Sequence, residues 1–229
     1  MMDGQERFTE GAGRYADYLQ TTEGRLRLDL AWANLCDALR EAGAGDKRRA
    51  LDLGGGTGAL SIRLAAGGWD VTLLDSSEEM LWLAREAARR AGYFERISFR
   101  QADAASIAGF FPPASFDLII CHNVLEYVAD PRAVVAAVGA VADRHGLVSL
   151  LARNRAGEVL RAALKGHDLS LARHALHAEF VTESLYGGPA RLFDPAALRA
   201  LAADAALAAV AERGVRVLVD YLPTSMKEG

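Results

Sequence analysis

Cysteine is scarce in this sequence. Two residues, Cys36 and Cys121, among 229 cannot build a disulfide framework or a four-thiolate zinc site. A basic excess is missing as well: the formal net charge is −4. That argues against a generally basic nucleic-acid binder, while a local basic patch stays open. No apolar run is long enough to span a bilayer. The alanine-rich stretch after Pro195 is broken by Arg199, Asp204, Glu212 and Arg213. The opening residues 1–8 are polar and mixed in charge, with no apolar signal-peptide core behind them. These absences set the expectation of a reduced, cytoplasmic protein with no membrane partner. Hydrophobic residues make up 51% and charged residues 24%, enough apolar surface to bury a core.

A strand–helix alternation fills the middle of the chain. The first twenty residues, with Gly4, Gly11 and Gly13, read as loosely structured. Helical spacing of Leu26, Leu30, Ala33 and Leu39 predicts a helix over 23–42, stopped by Gly43 and Gly45. Strands are predicted at 50–53, 70–75, 97–101, 116–121 and 146–151. Between them lie helices at 58–66, from Ser76 to about Ala91, and from Pro131 to about Ala142. Ser76 with Glu79 carries a capping-box signature, and Asp130-Pro131 an N-cap before a first-turn proline. The fold class is therefore α/β: a doubly wound, mostly parallel sheet of Rossmann-like type, with helices on both faces. Right-handed crossovers leave a ligand crevice at the carboxyl ends of its strands. Residues 152–193 break the pattern. They carry six basic residues against four acids and read as a helical insertion after the fifth strand, lying over the crevice. Asp194-Pro195 repeats the cap signature before another helix, and 210–221 reads as a last strand, bulged at Gly214. The expected divisions are 1–45, a helical segment; 46–151, the α/β core; 152–193, the insertion; and 194–229, a final helix and strand of the core.

The most informative segment is LeuAspLeuGlyGlyGlyThrGly at 51–58. A strand ends, glycines turn the backbone sharply, and a helix begins whose free N–H groups favour an anion. Gly54, Gly56 and Ala59 loosely satisfy a dinucleotide pattern, with Asp75 about 20 residues on. The loop alone thus leaves open an NAD-type cofactor or another adenosine cofactor. A phosphate-binding P-loop is excluded, because no Lys-Ser/Thr pair follows. Asp52 tips the balance: a carboxylate facing the ligand repels a pyrophosphate and attracts an ammonium. S-adenosylmethionine (SAM) carries an ammonium, a sulfonium and no phosphate. Asp75, at the end of the second strand, suits two ribose hydroxyls. Asp103, after the third strand, suits an adenine amino group. His122 and Asn123 follow the fourth strand at the crevice mouth. Read singly, each has a plainer role: a strand-end cap for Asp52, a turn former for Asp75, a solvated acid for Asp103, a hydrogen-bonded loop histidine for His122. Four such loops on successive strand ends of one sheet make the joint reading the stronger one.

The order LeuAspLeuGlyGlyGlyThrGly, Asp75, GlnAlaAsp and PheAspLeuIleIleCysHisAsnValLeuGlu resembles the class I SAM-dependent methyltransferases, over residues 48–151. A narrower resemblance rests on four segments: 21–27, 54–56, 122–131 and 214–222. There the chain is similar to the bacterial tRNA 5-carboxymethoxyuridine methyltransferases, which make a methyl ester on a wobble uridine. The resemblance implies SAM as cofactor and S-adenosylhomocysteine as product. It implies cofactor contacts from Arg27, Gly54, Gly55, Asp75, Asp103, Ala104 and His122; the loop reading adds Asp52 and Gly56. Two departures stand out. Members of that family carry a lysine-rich run in the insertion, where this chain has HisAlaGluPheValThrGluSer at 177–184, and they continue into a final antiparallel strand.

Other groupings have weaker readings. His167, His174 and His177 fall within about 80° on an ideal helix, a geometry open to zinc, yet no carboxylate partner is evident and a polar or RNA-facing surface is the preferred reading. Cys121 reads as a buried packing thiol. Arg153, Asn154 and Arg155 follow the fifth strand and are the candidates for holding an anionic acceptor, against the plainer reading of a charged loop. No residue is assigned as a catalytic base, because a carboxylate acceptor is already ionised at neutral pH. Four functions remain at this stage: methylation of a carboxylate on tRNA, methylation of a small-molecule acceptor, a nicotinamide-dependent oxidoreductase, and a catalytically silent SAM-binding module.

Overall fold

The fold is taken from a computed structural model that describes residues 4–43, 48–183, 185–217 and 221. The main sheet has five strands: β1 (Arg49–Leu53), β2 (Asp70–Asp75), β3 (Ile97–Gln101), β4 (Phe116–His122) and β5 (Ala142–Leu151). They form one parallel sheet in the order β3-β2-β1-β4-β5. The chain winds outward from β1 to β3, then crosses to β4 and winds the other way. Such a reversal opens a crevice between the carboxyl ends of the two central strands. The register keeps those ends level: Leu53 pairs with Leu74 and Cys121, Asp75 with Gln101, and His122 with Leu151.

Two-residue periodicity sends alternate side chains to opposite faces of the sheet. Leu51, Leu53, Ile119 and Cys121 pack with Val134, Val135 and Val138 of α5 (Pro131–Val141). Ala50, Leu73, Leu118 and Ile120 pack with Leu35 of α2 (Thr22–Ala42) and Leu60 and Leu64 of α3 (Ala59–Ala66). On that face they also meet Leu81 and Ala84 of α4 (Glu78–Ala91). The Cys121 thiol is buried on the first face, and burial raises its pKa, as a packing role requires.

Several boundaries differ from the sequence reading. Gly4–Gln20 is a helix, α1, rather than loose chain. Three glycines lower its intrinsic propensity by roughly 1 kcal/mol each. Tertiary contact overrides that cost, since Ala12 and Leu19 are buried and the rings of Phe8 and Tyr15 pack on Tyr186. A Cβ at Gly11 would come within 2.5 Å of the Tyr186 ring, so one of those glycines lets the helix approach. The α4 cap is Ser77, not Ser76: Ser77 Oγ accepts from Met80 N, while its own N–H donates to Asp75. Asp130 and Asp194 cap α5 and α8 (Pro195–Asp204) as expected.

The insertion is not wholly helical. It contains α6 (Arg155–Leu160), a π turn (Arg161–Lys165), α7 (Leu169–Ala175) and an antiparallel hairpin of β6 (Phe180–Thr182) and β7 (Pro189–Arg191). His167 lies in the break before α7, with Asp168 capping that helix, so the three histidines do not share one helical face. The strand expected over 210–221 is not seen in 210–217, and residues 218–220 lie outside the described residues. No described helix is long and apolar enough to cross a membrane.

Candidate active site

The carboxyl ends of β1 and β4 border a wide crevice of about 2160 Å³. A small cavity of about 50 Å³ lies beside it, beneath the glycine loop. In that loop Gly54 and Gly56 have φ of +67° and +54°, a backbone that side chains disfavour. Gly54 N donates to Leu74 O at 2.7 Å, and Gly56 N to Asp75 Oδ2 at 2.9 Å. Asp75 Oδ1 accepts from Ser77 N at 2.9 Å. One buried carboxylate thus ties the loop after β1 to the start of α4. Burial raises its pKa, and the backbone N–H groups of Ser77 and Gly56 oppose that rise.

Asp52 sits lower than the sequence reading placed it. It is one residue before Leu53 and so shares the face of Ala50, under α3. Only 3% exposed, it accepts from Ser61 Oγ at 2.7 Å. Its carboxylate lines the small cavity with Gly55, Arg27, Asn123 and His122, not the wide crevice. Burial pushes its pKa up to about 6, with the nearby Asp75 charge adding to the rise and Ser61 opposing it.

Arg27, on α2, spans the mouth of both spaces. It donates to Asn123 Oδ1 at 2.8 Å and to Tyr15 Oη at 3.0 Å, and its guanidinium lies over the Tyr15 and Tyr18 rings. Asn123, at φ +55°, passes the connection on to Glu126 Oε1 at 2.9 Å, which also accepts from Arg153 N at 2.7 Å. His122 Nε2 pairs with Ser149 Oγ at 2.8 Å. Burial, with the Arg27 charge, pushes the His122 pKa down to about 3. The ring is therefore neutral at physiological pH.

The remaining expected residues divide. Asp103 and Ala104 line the crevice after β3; Asp103 also caps its own turn through Ala105 N at 2.7 Å. Arg153 and Asn154 line it after β5, although the Asn154 side chain is occupied capping α6. Arg155 does not belong with them. Its guanidinium bonds Ala178 O and Asp194 Oδ2 and lines neither space, which corrects its expected acceptor role. The physical reason is that α6 starts at Arg155 and turns it toward α8.

Sequence reasoning missed Glu126, Tyr15 and Tyr186. All three line the crevice, and Tyr15 and Tyr186 pack ring to ring across it from α1 and from the hairpin turn. The spacing Phe8, Ala12, Tyr15, Leu19 was the available signal for α1. Glu126 carried none, since Arg153, which holds it beside Asn123, comes from the loop after β5.

The donor set fits a cationic, phosphate-free adenosine ligand. Two buried carboxylates, Asp52 and Asp75, lie under the loop, where a pyrophosphate would meet like charge. Among the described residues, His122 Nδ1 and Glu126 Oε2 are buried without a hydrogen-bond partner, and both residues line the crevice. Buried polar atoms are nearly always paired, so a bound molecule that completes them fits this wall.

Asp52 also sets a pH signature. Its pKa is higher folded, about 6, than its ordinary 3.8, so folding favours the protonated form. The resulting stability is fully present below the ordinary value and is lost as pH rises through about 6. It amounts to about 3 kcal/mol at most. Asp52→Asn should remove that slope and leave the ligand-free variant the more stable around pH 8. A cationic ligand favours the ionised form, so SAM affinity should rise with pH through about 6 in the wild type and stay flat in Asp52→Asn. Calorimetry across that range checks it; a flat wild-type profile takes Asp52 out of the ligand's field.

Comparison with known proteins agrees with this geometry. Residues 50–146 match the family described as a methyltransferase domain. The tRNA 5-carboxymethoxyuridine methyltransferase of Escherichia coli K12 is 33% identical over 202 residues, 88% of this chain and 75% of that protein. The ubiquinone biosynthesis O-methyltransferase of Methylococcus capsulatus is 36% identical over 124 residues, 54% of this chain and 51% of that protein. In fold, the chain resembles the crystal structure of a SAM-dependent methyltransferase from Methanosarcina mazei. The TM-score is 0.55 at 24% identity, covering 70% of this chain and 80% of that one. The dinucleotide reading of the glycine loop falls with these matches, and SAM is the cofactor. The chain belongs to the class I SAM-dependent methyltransferases.

Proposed function

We propose that this methyltransferase esterifies the carboxylate of a carboxymethoxyuridine at a tRNA wobble position. The observation that carries this reading is the similarity to the Escherichia coli enzyme of that name, which extends over 88% of the chain. The chemistry of the crevice supports it. When bound, SAM supplies an already activated methyl group, so the protein's task is binding, orientation and exclusion of water. A phenol or amine acceptor would usually need a base to remove its proton. Three of the groups beside the glycine loop are poorly suited to that. His122 is held by Ser149 with a pKa near 3, and Asp52 and Asp75 are buried and bonded to Ser61 and to backbone N–H groups. A carboxylate acceptor needs no base.

In this reading Asp75 holds the ribose, the Gly54–Gly56 backbone and Arg27 the amino-acid end, Asp103 and Ala104 the adenine, and His122 closes the wall. Asp52 contributes negative potential from below. Arg153 faces the acceptor side.

A second reading is a free small-molecule acceptor. The insertion favours it, with Lys165 as its single lysine, where phosphate contacts would call for more cations. Labelled SAM separates the two. Incubation with tRNA carrying carboxymethoxyuridine should give label in RNA that mild alkali releases, because a methyl ester hydrolyses and a methyl ether or N-methyl group does not. Alkali-stable label overturns the carboxylate assignment. Label confined to a pool of small acids supports the second reading instead.

A further inference from the structure

Two arginines of the insertion share one buried acid. Glu158, on α6, is 7% exposed and accepts from Arg161 Nε at 2.7 Å, while Arg153 Nε lies 3.6 Å from its other oxygen. Each guanidinium turns its Nε edge to the carboxylate. Among the described residues, the Nη ends of both make no hydrogen bond. Glu126, whose carboxylate also feels the Arg153 charge, is the second acid beside the pair, and both arginine side chains line the wide crevice. Lys165, four residues beyond Arg161, lines the same crevice.

The pair is also well placed along the sheet. Arg153 follows Leu151, the residue that pairs with His122 across β4 and β5, and its backbone N–H is held by Glu126. The wall therefore begins at the crevice mouth beside the cofactor-side residues. Arg161 stands where α6 passes into the π turn, so its side chain returns to Glu158 one turn earlier.

We propose that Arg153 and Arg161 form a seat for an oxyanion of the acceptor, and that Glu158 is the positioning residue that holds the two guanidiniums side by side. This rests on the anionic-acceptor reading above and extends it to a site. Guanidinium forks match the planar, paired oxygens of a carboxylate or a phosphodiester. A shared carboxylate offsets the repulsion between two cations and fixes their Nε edges, leaving the Nη ends directed to a ligand. The seat is distinct from the cofactor contacts, so it acts on acceptor affinity alone.

The test uses an anticodon stem–loop RNA in two forms, one with carboxymethoxyuridine and one with plain uridine at the wobble position. Arg153→Ala with Arg161→Ala should weaken binding of the modified loop at least about tenfold, leaving SAM affinity within about twofold. Glu158→Gln should raise KM several-fold with kcat nearly unchanged. Glu158→Asp should recover part of that loss, which a general packing role would not predict. Arg173→Ala, an exposed arginine of α7 that does not line the crevice, removes one positive charge from the insertion and should change little.

If the oxyanion is the acceptor carboxylate, the double variant loses the preference for the modified loop. If it is a backbone phosphate, both loops weaken equally and the salt dependence becomes shallower. Unchanged binding of both loops overturns the seat. So does an equal effect of Arg173→Ala, or a wild-type protein that binds neither loop. A wild-type protein that binds the loops but transfers no methyl group to the modified one overturns the proposed function, and the loss of binding in the double variant still decides the seat.

Discussion

Replacing Asp75 by alanine should weaken SAM binding at least tenfold and destabilise the ligand-free protein. An ionised carboxylate has about four acceptor positions. Two are used by Gly56 N and Ser77 N, leaving two for the ribose hydroxyls that the proposed binding mode places there. Hydrogen bonds to a charged group are worth roughly 1.5–3 kcal/mol each, so losing even one costs about a factor of ten. Alanine also strands two backbone donors beneath the loop, at roughly 1–3 kcal/mol for each donor left unsatisfied. Asp75→Asn keeps one carbonyl acceptor and the side-chain volume. It should therefore recover much of the stability while binding SAM less well than the wild type. Calorimetry with SAM, paired with thermal unfolding in its absence, reads the two losses separately. A dissociation constant within about twofold of wild type for the alanine variant would remove Asp75 from the site.

Gly54→Val should abolish SAM binding and lower stability by several kcal/mol. At φ +67° a β-branched residue is strained, by roughly 1–2 kcal/mol from backbone sterics alone. Its Cβ would also stand 2.3 Å from Val124 Cγ2, in the loop that follows β4. Overpacking of that kind typically costs another 1–3 kcal/mol or so. Either the loop after β1 or the loop bearing His122 and Asn123 must then move, and both border the crevice. A paired variant separates the two causes. Gly54→Ala keeps the backbone strain and the clash, and adding Val124→Ala relieves the clash alone. The double variant should regain part of the denaturation midpoint lost by Gly54→Ala. Gly54→Ala as stable as wild type, with unchanged SAM affinity, would show that the loop adopts another conformation.

The alternation of strands and helices was legible because it is written in local chemistry. Near-continuous apolar runs such as LeuIleIleCys at 118–121 belong to strands covered on both faces, and Asp130-Pro131 and Asp194-Pro195 start helices wherever they stand. The segments carrying Gly54, Gly56, Asp75, Asp103 and His122 stood out for the same reason: each lies at or just after a strand end. The N-terminal helix was hidden by its glycines, whose cost is offset by tertiary contact such as that of Tyr186, far along the chain, with Gly11. Glu126 was invisible because the Arg153 backbone that joins Asn123 on its carboxylate, 27 residues away, reaches it only in the folded sheet.

Sequence alone thus determined the doubly wound sheet, the crevice at its strand ends and the glycine loop that shapes one side of it. These follow from periodicity, turn residues and capping, which act over a few residues. Tertiary structure decided where the charges point. Strand parity put Asp52 on the α3 face under Ser61, away from the wide crevice. Packing brought Arg27 to Asn123, 96 residues distant in the chain. The start of α6 turned Arg155 toward Asp194 and left Arg153 with Arg161 on Glu158. Side-chain direction depends on which face of the sheet a residue occupies and on which neighbour can desolvate and pair it, and both are properties of the assembled layers.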